Sequence, residues 1–236
     1  HSTKFLNYLS FLFKILIFII VTFSLKADEK NNIGIVSEIK GEAVAINDDL
    51  EERDLNVFDS IFSNEEIFTT ENSSITLQFN DDTTIIMKEL TSLVVSDFVN
   101  SKLDPKFKSK VSKGKIVVET GSIAKNKTGE MEVIVNTSSL GLRGTRVNAA
   151  LDLSGKLDVS LGEDNFGNVG QIKIINNGTP DIYDQQTIFS TDEVFTISDY
   201  EVIKRKKSSE EQNEEKESNE IFVNNSKINE EEIEIE

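Results

Sequence analysis

The chain has 236 residues, 37% of them hydrophobic, and a formal net charge of −17. That length accommodates one ordinary domain plus appendages, at roughly 100–200 residues per domain, and the acid excess argues against nucleic acid, whose phosphates are bound by Lys and Arg. There is no cysteine and the single histidine is His1, which removes disulfides, thiolate metal sites, cysteine nucleophiles and Ser-His-Asp triads; no cofactor or metal is expected. An enzyme would have to work through paired carboxylates or a Ser-Lys pair, for which no motif is present, and the chain reads as a non-enzyme.

Residues 1–27 read as a targeting segment. Lys4 and Lys14 supply positive charge, and 15–25 (ILIFIIVTFSL) is an apolar run that ends at Lys26-Ala27 before Asp28, Glu29 and Lys30. A bilayer-spanning helix needs about 20 apolar residues. Extending this run back to Phe5 would leave Lys14 in the hydrocarbon at about 2.5–3.5 kcal/mol. Cleavage after Ala27 is the expectation, with a retained signal anchor in the inner membrane as the alternative. Either places the remainder in the periplasm or outside the cell.

From 33 to 200 the pattern is short runs rich in Val, Ile, Phe and Thr, broken by polar turns. Strands are expected at 33–39, 42–46, 74–79, 84–87, 93–96, 115–119, 132–135, 146–153, 157–161, 171–175 and 193–197. In 74–79 the alternation puts Ile75, Leu77 and Phe79 on one face. Turn signals recur at Lys40-Gly41, Asn80-Asp81-Asp82, Lys113-Gly114, Thr120-Gly121, Thr128-Gly129, Ser154-Gly155 and Asn177-Gly178, and the two prolines, Pro105 and Pro180, fall in loops. No stretch in this region holds a helical apolar period over three turns. The expected fold is all-β: one domain, 33–200, of many short strands as a β-sandwich or irregular β-roll.

Within that region Lys102, Lys106, Lys108, Lys110, Lys113, Lys115, Lys125 and Lys127 crowd together, separated in charge only by Asp104 and Glu119. One reading is a solvated strand edge, where lysines block aggregation. The other is a patch for an anionic partner at Lys106, Lys108, Lys110, Lys113 and Lys115. Beyond Tyr200 the sequence turns to Lys204-Arg205-Lys206-Lys207 and then a run dominated by glutamate. With few apolar groups to offset ordering entropy, 201–236 is expected to be a disordered charged tail.

Several segments taken together resemble the FecR domain family. Residues 34–41 (GIVSEIKG) are similar to its opening strand and turn, and 59–70 (DSIFSNEEIFTT) to the segment leading into I-x-T. Residues 74–89 (SITLQFNDDTTIIMKE) resemble the hairpin built around F-x-D-G-T, and 111–125 (VSKGKIVVETGSIAK) the run ending T-G-x-i-a-K. Gly141, Arg143, Gly144 and Thr145 reproduce the family's G-x-R-G-T. Asp82 stands where the family has glycine, although aspartate tolerates a left-handed backbone better than most residues. Val135-Asn136 replaces the usual Thr-Pro.

Read on its own chemistry, 141–145 is a tight corner between strands where a buried Arg143 guanidinium ties down several carbonyls; the alternative is that Arg143 binds an anionic ligand. The resemblance implies the periplasmic domain of FecR-type regulators, without their anti-sigma and terminal receptor-contacting parts, and hence no direct control of a sigma factor. The expected role is a binding, adaptor or sensory module for another envelope protein, in contact with membrane only through an uncleaved N-terminal segment. A glycan or cell-wall module is the second reading. It is weakened by the lack of tryptophan and by having only Tyr8, Tyr183 and Tyr200, since sugar platforms lean on such rings. A carboxylate hydrolase is the third.

Overall fold

Period-two alternation of apolar and polar side chains is what the fold is made from. The computed structural model describes residues 31–176, 185–188, 190–198 and 201–233, the last ten of these by backbone alone. The targeting segment at 1–27, the Asn177-Gly178 turn, Pro180, Tyr183 and Tyr200 lie outside the described residues.

Seventeen strands join through hydrogen bonds into one sheet, which folds into two facing halves. One half runs, in spatial order, β4 (Ser60–Phe62), β1 (Asn32–Lys40), β6 (Ser74–Phe79), β7 (Thr84–Met87) and the end of β9 (Lys106–Glu119). It continues through β12 (Arg146–Leu151), β13 (Leu157–Gly162), β16 (Glu193–Ile197) and β17 (Val202–Lys206). The other half runs β3 (Glu52–Asp54), β2 (Ala43–Ile46), β5 (Glu66–Thr69), β8 (Ser92–Val99) and the start of β9. It then passes to β10 (Glu130–Val135), β11 (Ser138–Arg143), β14 (Gln171–Asn176) and β15 (Gln185–Ile188). Among the described residues, only the β9–β10 pair is parallel. A short α1 (Ser122–Lys125) connects β9 to β10, and α2 (Ser209–Ile233) follows β17.

The 14-residue β9 belongs to both halves. Its first part buries Phe107, Ser109 and Val111, and its last part buries Ile116 and Val118 toward the same core. The phase of the alternation therefore shifts between Val111 and Ile116. The shift occurs at Gly114, whose φ of +90° and close approach to Thr91 (2.5 Å from an ideal Cβ to the Thr91 Cα) leave no room for a side chain. The inner faces of both halves merge in one apolar cluster that includes Ile33, Leu77, Ile85 and Val159 from one side and Ile67, Leu93, Val133, Leu140 and Ile174 from the other. Each such side chain contributes roughly 1.5–3 kcal/mol when fully buried. Phe79, Phe98 and Phe107 meet edge to face or tilted at one end, with centroids 5.0–6.2 Å apart.

The expected all-β architecture is what the molecule has. Beyond the expected strands, β3, β4, β5, β11, β15, β17 and the first part of β9 are also formed. The sharpest departure is in the charged segment after 200. Its first strand pairs with β16 over all five residues, so the sheet extends past the expected boundary, and residues 209–233 are helical rather than unstructured. The physical reason is local capping together with docking on the sheet, as set out below.

Candidate functional site

The residues that carry the family resemblance converge in space, and they do so as interior polar joints. Asp81, 1% exposed, accepts hydrogen bonds from the Thr83 N–H at 3.1 Å, the Thr83 hydroxyl at 2.8 Å and the Ile123 N–H at 3.4 Å. Its own carbonyl accepts from the Ser122 N–H at 2.7 Å. Burial raises the Asp81 carboxyl above its ordinary pKa, and these hydrogen bonds only partly counter the rise. Thr83 Oγ1 in turn accepts from the Gly121 N–H at 3.0 Å. A Cβ at Gly121 would lie 2.0 Å from the Asp81 carbonyl oxygen, so the backbones touch only because the residue is glycine. Next to it, Thr120 Oγ1 accepts from the Thr145 N–H at 2.8 Å and donates to the Thr145 carbonyl at 3.0 Å. Asp82 takes a φ of +66°, the left-handed conformation its place in the turn demands.

A second joint sits at the other end of β7. The fully buried Thr69 hydroxyl accepts from the Thr91 N–H at 3.0 Å, and Thr91 Oγ1 accepts from the Lys115 N–H at 3.0 Å. Thr69, Thr83, Gly114, Gly121 and Thr145 thus fix strand ends to one another. Their groups are saturated by the chain itself, which is the arrangement of a scaffold rather than of a reacting centre.

The Gly141, Arg143, Gly144 and Thr145 corner differs from expectation at its arginine. Gly141 lies inside β11, and the turn is made at Gly144 with φ +54°. Arg143, last in its strand, is exposed and donates to one carbonyl, that of Asn126, at 2.8 Å. Alternation sends Leu142 inward and Arg143 out, so it is not the buried tie expected of it. That part is taken by Arg146, three residues on and 1% exposed. Its guanidinium donates to Glu119 twice, through Nε at 2.9 Å and through Nη2, and also to Asn165 Oδ1 at 2.7 Å and Asn219 Oδ1. The ring of Phe222 stacks on it at 4.3 Å. Arg146 is hidden in the sequence because it merely opens an ordinary strand, and its burial comes from Phe222 and Asn219 on a distant segment.

The five lysines of the proposed anionic-partner patch all project from β9, but β9 is not an edge. It is paired on both sides over residues 106–111 and 116–119, so Lys106, Lys108 and Lys110 do not guard an open strand. Lys106, Lys108 and Lys110 point away from the core, the first two beside carboxylates on neighbouring strands. Glu130 lies beside Lys106, and Asp97 and Glu132 flank Lys108. Lys108 bonds Glu132 at 2.8 Å. Burial pushes the Glu132 pKa up, yet the hydrogen bonds from Lys108 and Ser139 outweigh it and the net shift is downward; Lys108 is raised by the same contact. Lys113 lies 4.3 Å over the Phe68 ring, and Lys115 pairs with Glu214. Lys110 has apolar strand neighbours on both sides, Val94 and Ile134.

Helix α2 completes the outer face of the other half. Ser208 accepts at Oγ from the Glu211 N–H at 3.2 Å while Glu211 accepts from the Ser208 N–H at 2.7 Å, a reciprocal capping box. Glu210 and Glu211 in the first turn also suit the positive end of the helix dipole. The face that meets the sheet carries Glu211, Glu214, Glu215, Ser218, Asn219 and Phe222, a three-and-four spacing written almost wholly in polar residues. Arg205 grips Glu211 through two nitrogens at 2.7 and 2.8 Å and reaches Asp158 at 2.9 Å. That bidentate bond holds the Glu211 carboxyl at about 2. Lys207, buried, bonds Glu215 at 2.7 Å and the Leu161 carbonyl at 2.8 Å. Phe222 closes over Ile86 and Val117, which form a small apolar cluster with it on this face. Between α2 and the sheet opens a cleft of about 680 Å³ lined in part by Lys40, Lys88, Lys115, Lys156, Asp152 and Glu217. Among the described residues no three Asp, Glu or His side chains gather as a metal site would.

Residues 65–164 match the family model described as FecR protein. No curated protein matches the chain. Two crystal structures of a protein from Parabacteroides distasonis, described provisionally as an anti-sigma factor, align at TM-scores of 0.48 and 0.47 with 11% identity. Each alignment covers 61% of this chain and 61% of the other, so the chain spans less than two thirds of that protein's length. A structure described as a cell surface anchoring domain aligns at a TM-score of 0.28 and 27% identity, over 28% of this chain and 88% of its own. Over residues 65–164, then, the chain is similar to the FecR domain.

Proposed function

We propose that the protein is a non-enzymatic binding or adaptor module of the bacterial envelope that recognises another envelope protein. The observation that carries this reading is the FecR match over 65–164, taken with a chemistry in which the signature residues satisfy one another. Thr69, Asp81, Thr83, Thr120 and Thr145 hold strand ends, and none is poised over an open cavity with an unpaired base beside it. Gly144 and Thr145 are read as structural, and so is Arg143, though as a surface tie to the Asn126 carbonyl. The lysine row on β9 is read as a solvated face neutralised by Asp97, Glu130 and Glu132 rather than as an anion site. Periplasmic placement rests on the apolar run at 15–25. Among the described residues no helix is long and apolar enough to cross a membrane.

The test is capture on the immobilised full chain from detergent-solubilised envelope extract, with purified cell-wall sacculi offered in parallel. Specific retention of a protein, competed by free chain, is the expected result. Retention of sacculi with no protein enriched would overturn the reading in favour of a cell-wall module.

A further inference from the structure

The outer face of β7, β9, β12, β13 and β17 is built to receive an acidic helix, and α2 occupies it in the manner of a ligand. The seat presents four cations, Lys115, Arg146, Arg205 and Lys207, around the small apolar floor of Ile86 and Val117. Its floor is shaped for close approach as well: a Cβ on Gly162 would stand 2.7 Å from Glu215 Oε1, so the helix passes directly over a residue that offers no side chain. The helix answers with Glu214, Asn219, Glu211 and Glu215, one against each cation, and with Phe222 against the floor. Everything on the helix side is generic to an acidic helix with one aromatic a turn beyond its last seat contact. Everything on the sheet side is specific.

The attachment is also of the kind that exchanges. Apart from Phe222 and the half-buried Ile221, the docked face of α2 is polar, and ion pairs near a surface are weakened by salt and by competing carboxylates. The sheet itself closes its main core without the helix: Ile86, Val117 and Phe222 form a separate cluster. We propose that this face is a binding surface for an acidic, phenylalanine-bearing helix of a partner protein, held covered by α2 until such a helix displaces it. The inference stands on this geometry and holds whichever compartment the protein occupies.

The experiment keeps the full chain and weakens only its own helix. Two variants serve, Phe222→Ala and the pair Glu214→Lys with Glu215→Lys, all on α2, so that a folding defect in one does not remove the test. The probe is a fluorescent synthetic peptide of residues 208–233, followed by anisotropy at low salt. Its intramolecular counterpart acts at an effective concentration in the millimolar range, so the unaltered chain should bind the peptide poorly and both variants at least tenfold more tightly. A peptide with lysine at the positions of Glu211, Glu214 and Glu215 should not bind, and added salt should weaken the authentic one. Equal affinity for unaltered and variant chains, absence of binding to both variants, or equal binding of the charge-reversed peptide would each overturn the proposal.

Discussion

The two outer faces of the sheet share one strand and solve opposite problems. On the first part of β9, Lys106 lies beside Glu130 and Lys108 between Asp97 and Glu132, and most of the charge of that face is balanced within the sheet. On the last part, Val117 and Glu119 project beside Ile86 and Arg146. Left open, that face would expose apolar surface around a guanidinium whose partners are fixed. It is covered by α2, and the covered face holds the most buried cation of the molecule. The difference teaches that alternation alone does not decide whether an outward face meets water: a small apolar floor ringed by Lys115, Arg146, Arg205 and Lys207 seats a helix that has almost no apolar face.

The strongest way to break the contrast is to remove the guanidinium. Arg146→Ala strands Glu119 with an unpaired buried charge and strips Asn165 and Asn219 of their donor. A loss of about 3–5 kcal/mol is expected, against less than about 1 kcal/mol for Arg143→Ala, whose side chain is exposed and makes one bond. Thermal unfolding of the two variants side by side is the measurement. Equal losses would show that the covered face is no more demanding than the corner next to it.

Phe222→Ala should come second. The ring is 2% exposed and covers Ile86, Val117 and the Arg146 guanidinium. Deleting a core phenylalanine costs about 3–5 kcal/mol; here the helix can lift away, so a smaller loss of about 1–3 kcal/mol is expected. Amide exchange should accelerate in α2 while β12 and β13 stay protected. Uniform acceleration across the sheet would mean that helix and sheet unfold as one unit.

Acid should separate the faces in a third way. Glu211 has its folded pKa lowered to about 2 from an ordinary 4.5, chiefly by the Arg205 hydrogen bonds. A depressed carboxylate contributes stability fully above its ordinary value and loses it as pH falls from about 4.5 toward 2. Asp81 runs the other way: burial raises it, so its charge is a cost that disappears on protonation. Lowering the pH through this window should therefore release α2 while the joint around Asp81 holds. Glu211→Gln should flatten the pH dependence of exchange in α2; an unchanged profile would show that the Arg205 pair does not anchor the helix.

Much of this was legible in the residues, and the failures are instructive. The strands at 74–79 and 84–87, the left-handed turn at Asp82 and the family segments were readable because period-two patterns and turn chemistry are local. The helix start was also present in the sequence, as Ser208 followed three residues later by Glu211. It was overlooked because a docking face of Glu211, Glu214, Glu215 and Asn219 carries no apolar period, and charge complementarity to Arg146 and Arg205 is a tertiary fact. The lysines of β9 were placed on an edge for the same reason: strand order, not composition, makes β9 central. Arg143 stands out in the sequence because it sits in a recognisable motif, whereas the burial of Arg146 is decided by the face of the strand and by what covers it.

The smallest expected effect tests the inner side of β9, where the two parts of the strand should be alike. Phe107, Val111, Ile116 and Val118 line the core, but Ser109 stands among them, fully buried, with a hydroxyl that has no hydrogen-bond partner among the described residues. It lies between Val95 on β8 and Val133 on β10, neither of which offers a side-chain acceptor. A desolvated, unpaired hydroxyl costs about 1–3 kcal/mol, whereas alanine removes it and leaves a space too small to matter much. Ser109→Ala should therefore be neutral or stabilising by up to about 1 kcal/mol, raising the unfolding temperature by roughly 2–4 °C at most. Ser109→Val replaces the hydroxyl with a methyl and adds a second methyl to a close-packed layer, and should do worse than alanine if that layer is full. A clear loss of stability in Ser109→Ala would mean that the hydroxyl is satisfied in solution, with a buried water between β8 and β10 as its partner, and that the inner side of β9 is less uniform than its outer faces are different.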